Sequence, residues 1–101
     1  MRDHARETID LTKGKTRDDI SNDRTLELAL TRLVEIIGEA AAHVSRETRE
    51  KHPEIAWHEI VGLRNRLIHG YDAVDLDILW NIIQIDIPEL ESSLNALLDH
   101  E

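Results

Sequence analysis

Leu26-Glu27-Leu28-Ala29-Leu30-Thr31-Arg32-Leu33-Val34-Glu35-Ile36-Ile37-Gly38-Glu39-Ala40-Ala41 is the stretch on which the fold class turns. Its apolar side chains (Leu26, Leu28, Leu30, Leu33, Val34, Ile36, Ile37, Ala40 and Ala41) recur at helical spacing and make a wide hydrophobic face. Asp23, just upstream, has the side chain of an N-cap, and the helix is expected to run to about Val44. A helix with so broad an apolar face buries it only against other helices or sheets, so the flanking sequence decides what those are.

Towards the N-terminus, residues 14–23 are polar and loop-like, with Thr16 placed to cap a brief turn through Ile20. A first helix is expected over Arg2–Lys13, with Gly14 as its stop. Towards the C-terminus, Ser45 can cap a short continuation through Lys51, and Pro53 then breaks the chain because the residue before a proline resists helical geometry. A third helix is expected from Ala56 to His69, stopped by Gly70. Asp75 caps a long final helix whose stripe is Leu76, Leu79, Trp80, Ile83, Ile87, Leu90, Leu94 and Leu97; Pro88 falls inside it and implies a kink. The sum is an all-α chain, expected to be an antiparallel up-and-down four-helix bundle forming one domain over residues 1–101.

Composition agrees and sets bounds. Only 4 of 101 residues are Gly and 2 are Pro, while Leu, Ile, Ala, Glu and Arg are plentiful, which favours helices over strands. A chain of this length builds one core, and pairing with a second copy would enlarge it. The absence of cysteine excludes disulfides, thiolate metal sites and a cysteine nucleophile. No apolar run approaches the ~20 residues needed to cross a bilayer and the N-terminus lacks a signal pattern, so a soluble, cytoplasmic protein is expected. The net charge of −9 argues against a nucleic-acid partner, but its distribution qualifies that. Asp72 and everything after it holds eight acidic residues and no Lys or Arg, whereas residues 1–71 hold 12 basic against 13 acidic side chains. A phosphate-binding surface therefore belongs to the first two thirds of the chain.

The segment richest in chemistry is Trp57-His58-Glu59-Ile60-Val61-Gly62-Leu63-Arg64-Asn65-Arg66-Leu67-Ile68-His69-Gly70-Tyr71. On one continuous helix, Trp57, Ile60, Val61, Leu67, Ile68 and Tyr71 all fall within roughly 60° of Arg64. Arg64 is thus expected at the centre of an apolar stripe, and a buried guanidinium requires an anionic or carbonyl partner, for which Glu35 and Glu39 are candidates. Asn65 and Arg66 each neighbour His69 on a helix, at spacings of four and three. Arg64 and His69 do not: five residues separate them by about 140° and about 7.5 Å along the axis. For both to reach one phosphate, the helix must loosen before Gly70 or two subunits must combine their copies.

These residue types suit metal-free phosphodiester cleavage in RNA, which needs a base for the 2′-hydroxyl, a cation for the phosphorane and an acid for the leaving oxygen. Histidine titrates near neutral pH and serves as either acid or base. Arginine grips phosphate with a rigid, permanently charged fork, and Asn65 is placed to orient the imidazole or the phosphate. Plainer readings stand beside these: Arg64 as an ion-pair partner, His69 as a cation at a helix C-terminus, Tyr71 as a core aromatic. His4, His43, His52, His58 and His100 have no metal-ligand spacing, and no metal or other cofactor is implied.

Arg64-Asn65-Arg66-Leu67-Ile68-His69-Gly70-Tyr71 resembles the Arg-x4-His-x-Tyr signature of HepT toxins in the HEPN superfamily. Glu35-Ile36-Ile37-Gly38-Glu39-Ala40-Ala41, His52-Pro53-Glu54-Ile55-Ala56-Trp57 and Ile87-Pro88-Glu89-Leu90 resemble the family in order and spacing, so the likeness covers roughly residues 23–98. The resemblance implies a homodimer of HEPN-like bundles whose Arg64 and His69 line a shared cleft, with Asn65 alongside; helical spacing adds Arg66 and Glu39 as supporting residues. It implies a metal-independent endoribonuclease that leaves a 2′,3′-cyclic phosphate. It also implies an MntA-like nucleotidyltransferase antitoxin as partner, which transfers AMP onto the tyrosine of the signature, here Tyr71. Two other readings are compatible with the sequence: a non-catalytic module that docks and regulates a nucleotidyltransferase, suggested by the acidic balance, and a purely structural dimerisation bundle.

Overall fold

The computed structural model describes residues 1–69 and 73–99. Its elements in chain order are α1 (Arg2–Thr12), α2 (Arg17–Ser21), α3 (Arg24–Ala42), α4 (Arg46–Lys51), α5 (Trp57–Val61), α6 (Leu63–Leu67), β1 (Ile68–His69), β2 (Ala73–Val74), α7 (Leu76–Asn81), a π-helical turn (Ile82–Asp86) and α8 (Ile87–Asp99). The architecture is helical throughout apart from the two-residue strands, which pair antiparallel with Ile68 opposite Val74 and His69 opposite Ala73.

Local chemistry sets most helix ends. Thr16 and Asp19 form a reciprocal capping box on α2, each side chain accepting from the other's backbone N–H. Asp23 accepts from the Leu26 N–H at 3.0 Å and starts α3; Ser45 accepts from Thr48 at 3.1 Å and starts α4; Asp75 accepts from both Asp77 and Ile78 and starts α7. Gly14 takes a φ of 75°, which other residues adopt only with strain, and so turns the chain out of α1. The far end of α3 is closed from outside: the half-buried Arg49 donates to the Ala41 carbonyl at 2.7 Å and to that of Val44 at 3.2 Å. A cation there offsets both the orphaned carbonyls and the negative end of the helix dipole.

The core gathers Ala5, Ile20, Leu30, Val34, Ile37, Ala41, Ile60, Leu63, Leu67, Leu79, Ile82, Ile83, Ile87, Leu90 and Leu94, all nearly or fully buried. Helix α3 is its axis, with α1 against one side and α5 and α6 against another; α1 also packs along α8, where Arg6 bridges to Glu91 at 3.2 Å and Asn95 at 2.9 Å. Thr8 and Thr12 of α1 are buried, and their hydroxyls donate to the carbonyls of His4 and Thr8, so neither hydroxyl is left without a partner. Helices α3 and α5 approach closely because residue 38 has no side chain: a Cβ there would lie 3.3 Å from the Ile60 carbonyl oxygen. Leu28, part of the apolar face inferred for α3, is instead 53% exposed.

The extent of the third helix needs correction. The third helix does not reach His69: it comprises α5 and α6, joined by hydrogen bonds from Gly62 to His58 and from Arg66 to Gly62, and ends at Leu67. From there the Leu67 carbonyl accepts from the Asp75 N–H, closing the short antiparallel pair in place of another helical turn. Pro88, where a kink is expected, follows directly on a widened turn in which the Ile87 N–H bonds to the Ile82 carbonyl five residues back. Proline has no N–H to offer and its ring crowds the carbonyl four residues earlier, so the preceding turn relaxes to a wider pitch.

Candidate functional site

The signature segment begins on α6, whose inward side is fixed by Leu63 and Leu67, 1% and 0% exposed. Arg64, Asn65 and Arg66 lie between them and are exposed. Arg64 is therefore not the buried guanidinium expected from the sequence, and none of the ion pairs among the described residues includes it. Glu35 and Glu39, its expected partners on α3, instead face Arg32 at 3.5 and 3.6 Å. That pairing follows from helical spacing along α3 itself, which brings residue 32 beside residue 35 and within reach of residue 39. Glu39 thus stands in a surface ion pair with Arg32 and is not paired with the signature arginine.

The misplaced stripe has a simple cause. The stripe drawn from the sequence took in Val61, which is only half-buried, and left out Leu63, which is buried. The buried positions on either side of Arg64 are Ile60, Leu63 and Leu67, centred roughly 70° away from it, so Arg64 falls on the open flank. The helix does loosen before Gly70: His69 stands in extended backbone and not in a further helical turn. His69 is described in its backbone only, and Tyr71 lies outside the described residues.

Arg66 points elsewhere. Its guanidinium donates to an Asp86 carboxylate oxygen at 3.0 Å, with the two side chains 44% and 25% exposed. Both flank a groove of about 80 Å³ whose base is the buried Ile60, Leu63 and Leu90 and whose edges carry Glu54, Glu59 and Glu89. Sequence reasoning missed Asp86, since residues twenty apart on different helices leave no periodic signal. Arg32, the partner of Glu35 and Glu39, was legible in principle from its spacing. The Asp19 carboxyl is held below its ordinary value, chiefly because it accepts the Thr16 backbone N–H, and then through the Thr16 hydroxyl. It belongs to the cap of α2 and is remote in sequence from the signature. Among the described residues, no group of three His, Asp or Glu side chains is arranged to hold a metal ion, and no helix is long and apolar enough to cross a membrane.

What the arrangement offers is a cationic, hydrogen-bonding edge, Arg64 and Asn65, at the end of a short helix that runs directly into the backbone carrying His69. A family model described as ribonuclease HepT-like matches residues 1–97. The chain is similar to a candidate RNase of Caldanaerobacter subterraneus subsp. tengcongensis, 42% identical over 93 residues that cover 92% of this chain and 83% of that one. It is similar as well to a candidate RNase of Methanocaldococcus jannaschii, 37% identical with 92% and 85% covered, and to the "Probable ribonuclease HepT" of Thermococcus cleftensis, 37% identical with 90% and 86% covered. No solved structure matches it. The chain belongs to the HepT-like ribonuclease family.

Proposed function

We propose that this protein is the toxin of a toxin–antitoxin pair, an endoribonuclease that cuts RNA without a metal ion at a site built by two copies of the chain. The observation that carries the reading is the exposure of Arg64 on α6, immediately before the backbone leaves helical geometry and delivers His69. An arginine kept for packing would be buried with a partner; one kept for phosphate must face outward.

In this mechanism Arg64 donates two parallel hydrogen bonds to the non-bridging oxygens of the scissile phosphate and stabilises the charge that builds on them. The imidazole of one His69 takes the proton of the 2′-hydroxyl, and the 2′-oxygen forms a bond to phosphorus. The bond from phosphorus to the 5′-oxygen breaks, and the protonated His69 of the second copy gives that oxygen its proton. The products are a 2′,3′-cyclic phosphate and a 5′-hydroxyl end. Asn65 orients the imidazole or the phosphate. Tyr71 is the control point: an MntA-like nucleotidyltransferase transfers AMP from ATP to its hydroxyl with release of pyrophosphate, and the bulky anion then occupies the phosphate site beside Arg64.

The test is cleavage of RNA in excess EDTA by unmodified protein, repeated with Arg64→Ala and His69→Ala. The reading expects metal-free cleavage that both substitutions abolish; cleavage that depends on a divalent ion or survives both would refute it. Intact-mass measurement after expression with and without the nucleotidyltransferase tests the Tyr71 step, through a gain of AMP on that residue. The acid-rich balance, −9 overall, favours one second reading, a non-catalytic module that docks and regulates the nucleotidyltransferase. Stable co-purification with no cleavage by unmodified protein would select it.

A further inference from the structure

Arg64 and Arg66 are neighbours in the signature, yet they stand in different surroundings. Two residues apart on α6, they project about 160° from one another around the axis. Arg64 is on the open flank; Arg66 reaches across to the last helical segment and is neutralised there by Asp86 at 3.0 Å. A phosphate approaching Arg66 would have to displace that carboxylate and pass Glu54, Glu59 and Glu89, which edge the same groove. Such surroundings repel RNA.

Asp86 owes its position to the π-helical turn. It is the last residue of that turn, just before Ile87 and Pro88. The extra residue accommodated in the widened turn rotates the downstream helix by about one residue's step, ~100°, relative to an uninterrupted α-helix. Turns of this kind recur where a helix must present a side chain that regular geometry would direct elsewhere. Here the side chain is the carboxylate that grips α6, a helix of five residues with little intrinsic stability.

We propose that Asp86 is a positioning residue: through Arg66 it clamps α6 to the π-helical turn, fixing where Arg64 and the emerging His69 strand stand, and Arg66 serves this clamp and does not bind RNA. The inference rests on the ribonuclease reading for its catalytic consequence but not for its structural one. Misplacing catalytic groups by about 1 Å costs rate steeply, so release of the clamp acts on turnover and leaves RNA affinity nearly unaltered.

A charge swap separates the clamp from phosphate binding. Arg66→Asp and Asp86→Arg are each expected to lower kcat at least about tenfold with KM within about twofold of the parent, and the double substitution is expected to recover most of the loss. Asp86→Asn, which keeps the side-chain shape, gives a milder fall of the same kind should a reversed charge prevent folding. A double variant as poor as Arg66→Asp, with a log–log salt slope of RNA binding shallower by about 0.7, would show that Arg66 touches a phosphate and would overturn the proposal. Amide hydrogen exchange reads the clamp independently of cleavage. Each single substitution should speed exchange at the Arg66 and Asp75 amides, which donate to Gly62 and Leu67, and the swap should restore protection. Unchanged exchange in every variant would refute the clamp even if RNA is cleaved; restored protection in a protein that cleaves no RNA would sustain the clamp and fail only the ribonuclease reading.

Discussion

Replacing Arg64 by alanine separates the two roles an arginine can have in this segment. Were the guanidinium buried and paired, its removal would strand a partner charge and cost about 3–5 kcal/mol. Arg64 is exposed, and alanine and arginine have similar helix propensities, so the cost expected from the structure is at most about 0.5 kcal/mol. For a domain of this size 1 kcal/mol corresponds to a Tm shift of about 4–8 °C, so Arg64→Ala should melt within about 4 °C of the parent. Leu67, 0% exposed on the same helix, is the internal comparison: truncation to alanine removes buried methyl groups and leaves a cavity, at about 2–5 kcal/mol, a fall of at least about 8 °C. Cleavage of RNA should respond the other way round. Loss of a pre-placed donor to the developing phosphorane costs about 10²–10³ in rate, whereas Leu67→Ala, assayed well below its own Tm, acts only indirectly. Thermal melts by circular dichroism and cleavage assays in EDTA on the same preparations supply both readings. If Arg64→Ala melts as early as Leu67→Ala, the guanidinium is a structural ion-pair partner and the reasoning fails; if it melts normally and still cleaves at the parental rate, the role given to it in catalysis fails.

Gly38→Val should cost about 1–3 kcal/mol, because its Cβ would already meet the Ile60 carbonyl at 3.3 Å and the added methyls must push α3 and α5 apart; denaturant unfolding measures this, and a neutral result would mean the two helices part freely. The Asp19 carboxyl is held below its ordinary value by the Thr16 backbone N–H and hydroxyl. Its contribution to stability is therefore present above the ordinary carboxylate pKa and is lost as pH falls through the lowered one. Thr16→Ala should move the Asp19 titration, followed by NMR, upward towards the ordinary value; an unmoved titration would mean that the hydroxyl does not contribute to the cap.

The helix starts at Asp23, Ser45 and Asp75, the cap at Thr16 and the stop at Gly14 were readable from the chain alone. Each is decided by groups within about three residues of one another, and no tertiary contact is needed to make them work. The all-helical class was readable for a related reason, since apolar spacing is a local pattern that survives whatever the helix packs on. The signature residues were equally visible as types: Arg64, Asn65, Arg66, His69 and Tyr71 stand in the order that the family likeness requires. Their directions were not. Arg64 faces solvent because Leu63 and Leu67 take the inward side of α6, and where that helix stops is settled by the Leu67 carbonyl accepting the Asp75 amide. Likewise Glu39 pairs with Arg32, and Arg66 finds Asp86 twenty residues away on a turn widened ahead of Pro88. Sequence periodicity specifies an angle around a helix only while the helix continues; its end, and the partner waiting across the gap, are properties of the folded chain.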